Sequence, residues 1–417
     1  MKAETAEVGV GHLGGWYYGW YIIAGTVLAQ IAANGLAINA FSLFLHAWSA
    51  DLHSPISGLQ LAMVPLGFTT AVVGPVIGAL ADKYPARWLI GGGLVGMAVF
   101  CLGISAMTAT WQFLALYGAL LPVALSLSTS IVANALVSRW FVRRIGLALG
   151  LTAFGVGMAG VLLPPIVAAA LPMIGWRGLW RFAALLMALV VAPVVMLVLR
   201  DRPAARDGLT YVMPDSSAEP RHRESAPRLN WGDIIRRKHY WLLVAVFLPV
   251  LATFGGIAYN LAPIAASRGF DQASAGKLLS VLGLTHVSST VVFGMLSDRF
   301  GNRLPLAGLA VVTAAGAALI GIGHSLPSMV LGVALLGMSG GLWTLIAAAI
   351  GAEFGAANVG LGFGMMLMFL PINNLSPFMI AKVQESTGSY VDALLAFAVL
   401  VLMGGATSLL IRETRRG

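Results

Sequence analysis

Apolar stretches about as long as a bilayer is thick recur along this chain, separated by short polar interruptions that are mostly basic. A hydrocarbon core of about 30 Å needs about 20 helical residues to cross it. Runs of that size fall near 17–45, 56–81, 88–108, 112–138, 143–168 and 178–200, and again near 240–267, 273–299, 304–323, 327–352, 357–384 and 389–411. The pattern predicts an all-α integral membrane protein of twelve transmembrane helices. The first run continues far beyond the length of a signal h-region, so it reads as a spanning helix rather than a cleaved leader. Between the two sets of six, residues 201–238 are rich in Arg, Ser and Pro and lack an apolar face. The expected organisation is an N-terminal segment 1–16, a six-helix bundle 17–200, a linker 201–238 with a short surface helix around Trp231–Lys238, a second bundle 239–411 and a tail 412–417.

Composition supports lipid as the main solvent. Of 417 residues, 59% are hydrophobic and 10% charged, against about 25% charged in soluble domains. The net charge of +9 suggests a nucleic-acid binder only if the charges cluster on one surface, and here they sit in short loops. With the N-terminus assigned to the cytoplasm, twenty of the 25 Lys and Arg fall in cytoplasmic segments, from Lys2 through Lys83, Arg87, Arg139, Arg143 and Arg144, the linker, Arg299 and Arg303, to Arg412, Arg415 and Arg416. The other side holds Arg177, Arg181, Arg268, Lys277 and Lys382. The positive-inside rule then puts both termini in the cytoplasm of a cell (inner or plasma) membrane and supports an even number of spans. A single cysteine, Cys101, excludes an intrachain disulfide and a thiolate metal cluster.

The two sets of six carry a repeat. Gly78-Ala-Leu-Ala-Asp82-Lys83-Tyr-Pro-Ala-Arg87 follows the second span, and Gly294-Met-Leu-Ser-Asp298-Arg299-Phe-Gly-Asn-Arg303 follows the eighth, every matching position offset by 216 residues. Two copies at equivalent loops point to duplication and two pseudo-symmetric bundles. An acid at a helix end accepts N–H groups from a neighbouring helix start, while bases pair with carboxylates or last-turn carbonyls. Asp82, Lys83, Arg87, Asp298, Arg299 and Arg303 are therefore expected to form a conformational latch, set against the plainer reading of ordinary loop charges.

These G-x-L-x-D-[KR]-x-x-x-R loops resemble the signature of the major facilitator superfamily, and the resemblance covers nearly the whole chain. Trp16 and Gly19-Trp20 at the first span, Ser138-Arg139-Trp140-Phe141-Val-Arg143-Arg144-Ile-Gly146-Leu-Ala148-Leu-Gly150 at the fifth, and Thr387-Gly388-Ser389-Tyr390 before the last are similar to the monocarboxylate and oxalate–formate transporter branch. The resemblance implies the major facilitator fold, alternating access and a carboxylate cargo. Members of that branch place an acid and, four residues on, an arginine on the eighth span; the matching positions here are His286 and Thr290. The branch's first-span lysine falls near Ile38 or Asn39. The charged anion clamp is thus replaced by uncharged side chains.

Polar residues deep in apolar spans are costly unless they face a cavity or a partner. No Asp, Glu, Lys or Arg lies deep in the spans, and Lys277 and Lys382 sit near helix ends, where they can snorkel. His286 is the one deep group titrating near neutrality, with an ordinary pKa of about 6.5, and is the candidate for proton coupling; the competing reading is packing glue. Other candidates for substrate binding are Asn34 and Asn39 on the first span, Ser130 and Asn134 on the fourth, Tyr259 and Asn260 on the seventh, Thr290 beside His286, Trp343 on the tenth, and Phe369 and Asn373 on the eleventh. Gln30, Ser126 and Asn374 share these helices, and Ser at four-residue spacing equally suits close helix packing. Glycines crowd the fifth and eleventh spans, which suits close sliding contacts.

No G-x-x-x-x-G-K-[ST] loop is present, so ATP drive is not expected, and no His–carboxylate set has metal spacing. An enzyme, a cofactor, a metal and a nucleic-acid partner are not expected. The sequence reads as a secondary transporter of a small organic acid, proton-coupled, working as a monomer in a lipid bilayer. The alternatives are a carrier of an uncharged or aromatic solute, an anion exchanger without proton coupling, or a receptor that senses its ligand without moving it.

Overall fold

In a computed structural model the described residues are 17–141, 145–202, 229–355 and 358–410. Trp16, Lys2, Arg143, Arg144, the tail arginines and most of the linker lie outside them. Among the described residues eleven helices are long and apolar enough to cross a membrane, and the fifth is two helices in one. It runs over Ile145–Val198 but breaks at Gly175, where φ is 67° and ψ 167°. Glycine alone adopts that backbone freely, so the chain reverses without a polar loop. Counting that break, twelve spans result, as expected.

We number the spans α1 (19–52), α2 (Ile56–Lys83), α3 (Ala86–Ala106), α4 (Thr110–Trp140), α5 (145–174), α6 (176–198), α7 (Lys238–Ala266), α8 (Gln272–Phe300), α9 (Arg303–Ile322), α10 (Leu326–Phe354), α11 (Val359–Thr387) and α12 (Val391–Ser408). A short helix Trp231–Ile235 precedes α7, where the sequence predicts a surface helix. The loops after α2 and α8 define a basic face; the opposite one is the far face. Three spans of the first half contain π-helical turns: Gly35–Asn39 in α1, Leu116–Leu120 in α4 and Met187–Val191 in α6. The first two meet, Tyr117 Oη donating to Ala37 O at 3.3 Å.

Each half is stitched within itself. At the basic face Tyr17 donates to the Trp140 carbonyl, Trp140 Nε1 to Arg200 O at 2.8 Å and Tyr18 to Val198 O at 2.9 Å, joining α1, α4 and α6. Toward the far face Trp48 stacks on Phe44 at 5.2 Å beside Phe113 and Trp180. Asp51 there accepts from Trp176 Nε1 at 2.8 Å and pairs with Arg177.

Between the halves the seams are graded. On α5–α8, a Cβ added at Gly283 would lie 2.7 Å from the Gly160 carbonyl carbon, and one at Gly276 would lie 2.6 Å from Ala168 Cβ. On α2–α11, Gly67 abuts the Asn374 amide. Nearer the basic face three of these four helices, α2, α5 and α11, carry Gly78, Gly146, Gly150, Gly360 and Gly364, each with nothing within 4 Å of where a Cβ would be. The halves touch from mid-depth to the far face and part toward the basic face.

A side chain forced into the tight part of the seam costs about 1–3 kcal/mol by overpacking. Gly283→Val is expected to lower the melting temperature of the purified protein, whereas Gly150→Ala leaves it unchanged; equal melting of both variants would contradict the graded seam.

Candidate functional site

The polar residues of the first half form one chain at mid-depth. Gln30 Nε2 donates to Thr152 O at 2.6 Å and its Oε1 accepts from Ser130 Oγ at 3.0 Å, tying α1 to α5 and α4. Ser130 is thereby engaged in helix packing. Asn34 Nδ2 donates to Gln30 O at 2.9 Å and Asn39 Nδ2 to Asn34 O at 3.1 Å, so the two amides bracket the π turn of α1. Asn39 Oδ1 sits against Gly160, where α5 meets Gly283 of α8. Both asparagines remain partly exposed, and Asn134 is exposed on α4.

Tyr259 and Asn260 stand at a break in α7 with a local cause. Pro263 has no N–H to give to the carbonyl four residues before it. That carbonyl, Tyr259 O, accepts instead from Gln60 Nε2 of α2 at 2.8 Å. Asn260 is fully buried; its Nδ2 reaches Gly256 O at 2.8 Å and Pro377 O at 3.0 Å, and its Oδ1 accepts from Gln60 Nε2 at 3.1 Å. These two residues join α2, α7 and α11, closing the halves together, and the Tyr259 ring packs edge-on against Phe41 at 5.6 Å. Asn374 Nδ2 adds a further crossing to Met63 O at 2.8 Å, and Ser280 Oγ another to Val161 O at 2.8 Å.

His286 on α8 stacks on Phe254 of α7 at 4.5 Å between ring centres, and its buried Nδ1 has no hydrogen-bond partner among the described residues. Its carbonyl edge is packed by Gly340 of α10. Thr290, one turn on, turns its hydroxyl back to Val287 O at 2.7 Å. Trp343 stands between Phe247 and Phe363, each 5.8 Å away, and Phe369 lies 6.4 Å from Trp241. Asn373 is buried, with its Nδ2 unpaired among the described residues. The structure thus joins Asn34, Asn39 and Ser130 in one network and Tyr259 and Asn260 in another; His286 and Asn373 carry open hydrogen-bonding capacity.

The six latch residues line the basic face. Asp82, Lys83, Arg87, Asp298 and Arg299 are exposed and Arg303 is partly buried. Lys83, Arg87 and Arg299 lie over their neighbours Tyr84, Trp88 and Phe300 at 5.7, 5.1 and 5.3 Å. Among the described residues none of the six pairs with the opposite half. The expected chemistry occurs with other partners. Asp201 caps the start of α3 through Ala86 N and lies 4.0 Å from Arg87, and Arg139 donates to Ala81 O at 2.5 Å. Ala81 is the carbonyl that Pro85 leaves without a donor.

Sequence reasoning missed Gln60, Ser57 and Glu385. Glu385 ends α11 at the far face, and its carboxylate accepts from Ser57 N at 3.0 Å and Ser57 Oγ at 2.8 Å across the halves. The signal was present: it is the one acid of the eleventh span, but sorting charges by Lys and Arg passes over acids. Among the described residues no group of three or more His, Cys, Asp or Glu is placed to hold a metal ion.

Two six-helix bundles, joined on one side of mid-depth and parted on the other, have the architecture of a membrane carrier. The sequence profile of the Major Facilitator Superfamily matches residues 27–373, and the chain belongs to that family. It is a secondary transporter, not an enzyme. It is similar to an MFS-type transporter of Gibberella moniliformis, 25% identical over 391 residues spanning 90% of this chain and 86% of that one. It is similar also to Monocarboxylate transporter 12 of Homo sapiens, 25% identical over 449 residues covering 97% and 82% of the two chains. The fold matches the crystal structure of a bacterial homolog of the human lysosomal transporter Spinster, with a TM-score of 0.73 and 15% identity over 94% of this chain and 96% of that one.

Replacing Asn260 with Ala removes its hydrogen bonds to Gly256 O, Pro377 O and Gln60 Nε2, each of about 1 kcal/mol net. The variant is expected to melt below the parent. A melting temperature equal to the parent's would show that Asn260 does not fasten α2, α7 and α11.

Proposed function

We propose that the chain carries a small, monocarboxylate-like organic acid across the cell membrane by alternating access, coupled to a proton, with its basic face and both termini cytoplasmic. The carrying observation is His286. It is the one histidine deep in the described spans, and its buried Nδ1 has no hydrogen-bond partner among the described residues. A carboxylic acid arriving with its proton satisfies that nitrogen, and Asn373 Nδ2 offers a second, neutral donor. The similarity to Monocarboxylate transporter 12 and the branch motifs around Gly19-Trp20 and Arg139 support the same cargo class. The cleft is served by Asn34, Asn39, Asn134, Thr290, Trp343 and Phe369, and the loop charges Asp82 to Arg87 and Asp298 to Arg303 engage when the basic face closes.

A second reading follows from the absence of a fixed positive charge at depth in the described spans. An uncharged or aromatic solute needs none, and Trp343 between Phe247 and Phe363 presents an aromatic wall.

Uptake of labelled acids into proteoliposomes is expected to rise when the far side is acidified. In His286→Gln it falls about tenfold, the effect of losing one hydrogen bond of about 1.4 kcal/mol, and its pH dependence flattens. Unchanged affinity and unchanged pH dependence in that variant remove His286 from the mechanism. Saturable uptake confined to neutral solutes favours the second reading.

A further inference from the structure

We infer that Glu385 is the proton-sensitive bolt of the far-face gate. α2 begins at Ile56 directly after Pro55, and the first N–H groups of a helix have no acceptor within it. One of them, Ser57 N–H, finds its acceptor in the other half of the molecule, on Glu385 Oε1 at 3.0 Å, while Ser57 Oγ donates to Oε2 at 2.8 Å. An ionised carboxylate at a helix N-terminus is held by the positive end of the helix dipole as well as by charge-assisted hydrogen bonds.

The other described hydrogen bonds across the halves come from Gln60, Gln272, Ser280 and Asn374, which keep the same charge at every ordinary pH. Among the described residues Glu385 is therefore the one cross-half contact that a proton can weaken. It stands at the exposed end of α11, with its side chain 24% accessible, so protons from the far-side solution reach it without passing the closed seam.

Its charged and titratable neighbours are few. Lys382, on its own helix, has Nζ 3.5 Å from Oε2. The Tyr390 phenol at the start of α12 is pushed up to about 12, by burial first and by the Glu385 charge second, and so stays neutral. From α2 the carboxylate meets only the neutral Ser57 donors, and α7 contributes the neutral Asn260 one layer deeper. Protonation removes the charge that the start of α2 attracts and leaves Lys382 without its counter-ion. Acid on the far side thus releases α2 from α11 and favours opening toward that side, the state in which a proton-coupled carrier loads. The inference needs the two-half carrier but not the identity of its cargo or the role of His286.

The test measures far-face opening without substrate. Cys101→Ser supplies a cysteine-free background. Spin labels are attached at Thr108→Cys and His324→Cys, exposed positions on far-face turns of opposite halves. Distance distributions are recorded by electron–electron resonance at pH 7.5 and about 3.5, below the ordinary carboxylate value of about 4.3. The parent is expected to show a long-distance population that grows on acidification. Glu385→Gln shows that population already at pH 7.5, raised about tenfold or more as loss of a charged hydrogen bond implies, and does not respond further to acid. Ser57→Ala, which keeps the backbone donor, gives a smaller rise and retains the pH response. A parent indifferent to pH, a Glu385→Gln distribution equal to the parent's, or a full pH response in Glu385→Gln overturns the inference. Should Glu385→Gln fail to fold, an unchanged distribution in Ser57→Ala overturns it equally, and a rise supports it.

Discussion

A proline inside a membrane helix leaves the carbonyl four residues earlier without a donor, and hydrocarbon offers no water to replace it. Four hydrogen bonds of this transporter are built on that deficit. Pro122 frees Gly118 O, which accepts from Thr69 at 2.6 Å. Pro165 frees Val161 O for Ser280, Pro263 frees Tyr259 O for Gln60, and Pro377 frees Asn373 O for Ser376 at 2.8 Å. Two of these four bonds cross between the halves. Lipid tails are as apolar as leucine, so packing helices together gains little from hydrophobic burial. The halves meet where backbones approach closely at glycine and where a side chain supplies the missing donor.

That arrangement suits a protein that must come apart and close again. Apart from the Glu385 contact at the far face, each crossing is a neutral hydrogen bond of modest net value, and the glycine contacts between α5 and α8 let backbones slide without interlocking side chains. Within each half the ties are heavier. Arg177 pairs with Asp51 over the Trp176 ring, and Arg268 binds the carbonyls that end α9, Gly321 O at 2.8 Å among them. Rigid halves joined by a weak seam are the physical condition for rocking as two bodies.

Hydrophobic run length and the duplicated loops made the twelve spans and the two-half plan legible in the sequence, because a bilayer fixes helix length and duplication fixes spacing. The α5–α6 turn was legible as the gap between the runs near 143–168 and 178–200, and Gly175 with Arg177 just beyond it is where the chain reverses. The polar residues were found but not sorted. An amide in hydrocarbon is satisfied either by a ligand or by a stranded carbonyl, and residue type alone does not choose between them. Asn260 and Ser130 went to structural partners, while Asn373 and His286 did not. The position of Pro263, four residues beyond Tyr259, was the available clue that α7 needed an outside donor. Its source, Gln60, depended on the packing of α2.

The acids separate in the same way. Asp82 and Asp298 stand in the repeated loops at the parted basic face, with no partner across the halves among the described residues. Asp201 and Glu385 each occupy a helix start, one within a half and one between halves. A carboxylate bound inside one rigid body is unaffected by rocking, so Asp201 keeps α3 in place in either state. A carboxylate bound across the seam must lose its partner each time the seam opens, and its charge then counts toward the balance between states. Position relative to the seam, rather than the residue or the motif around it, decides which acid holds the fold and which one works the gate.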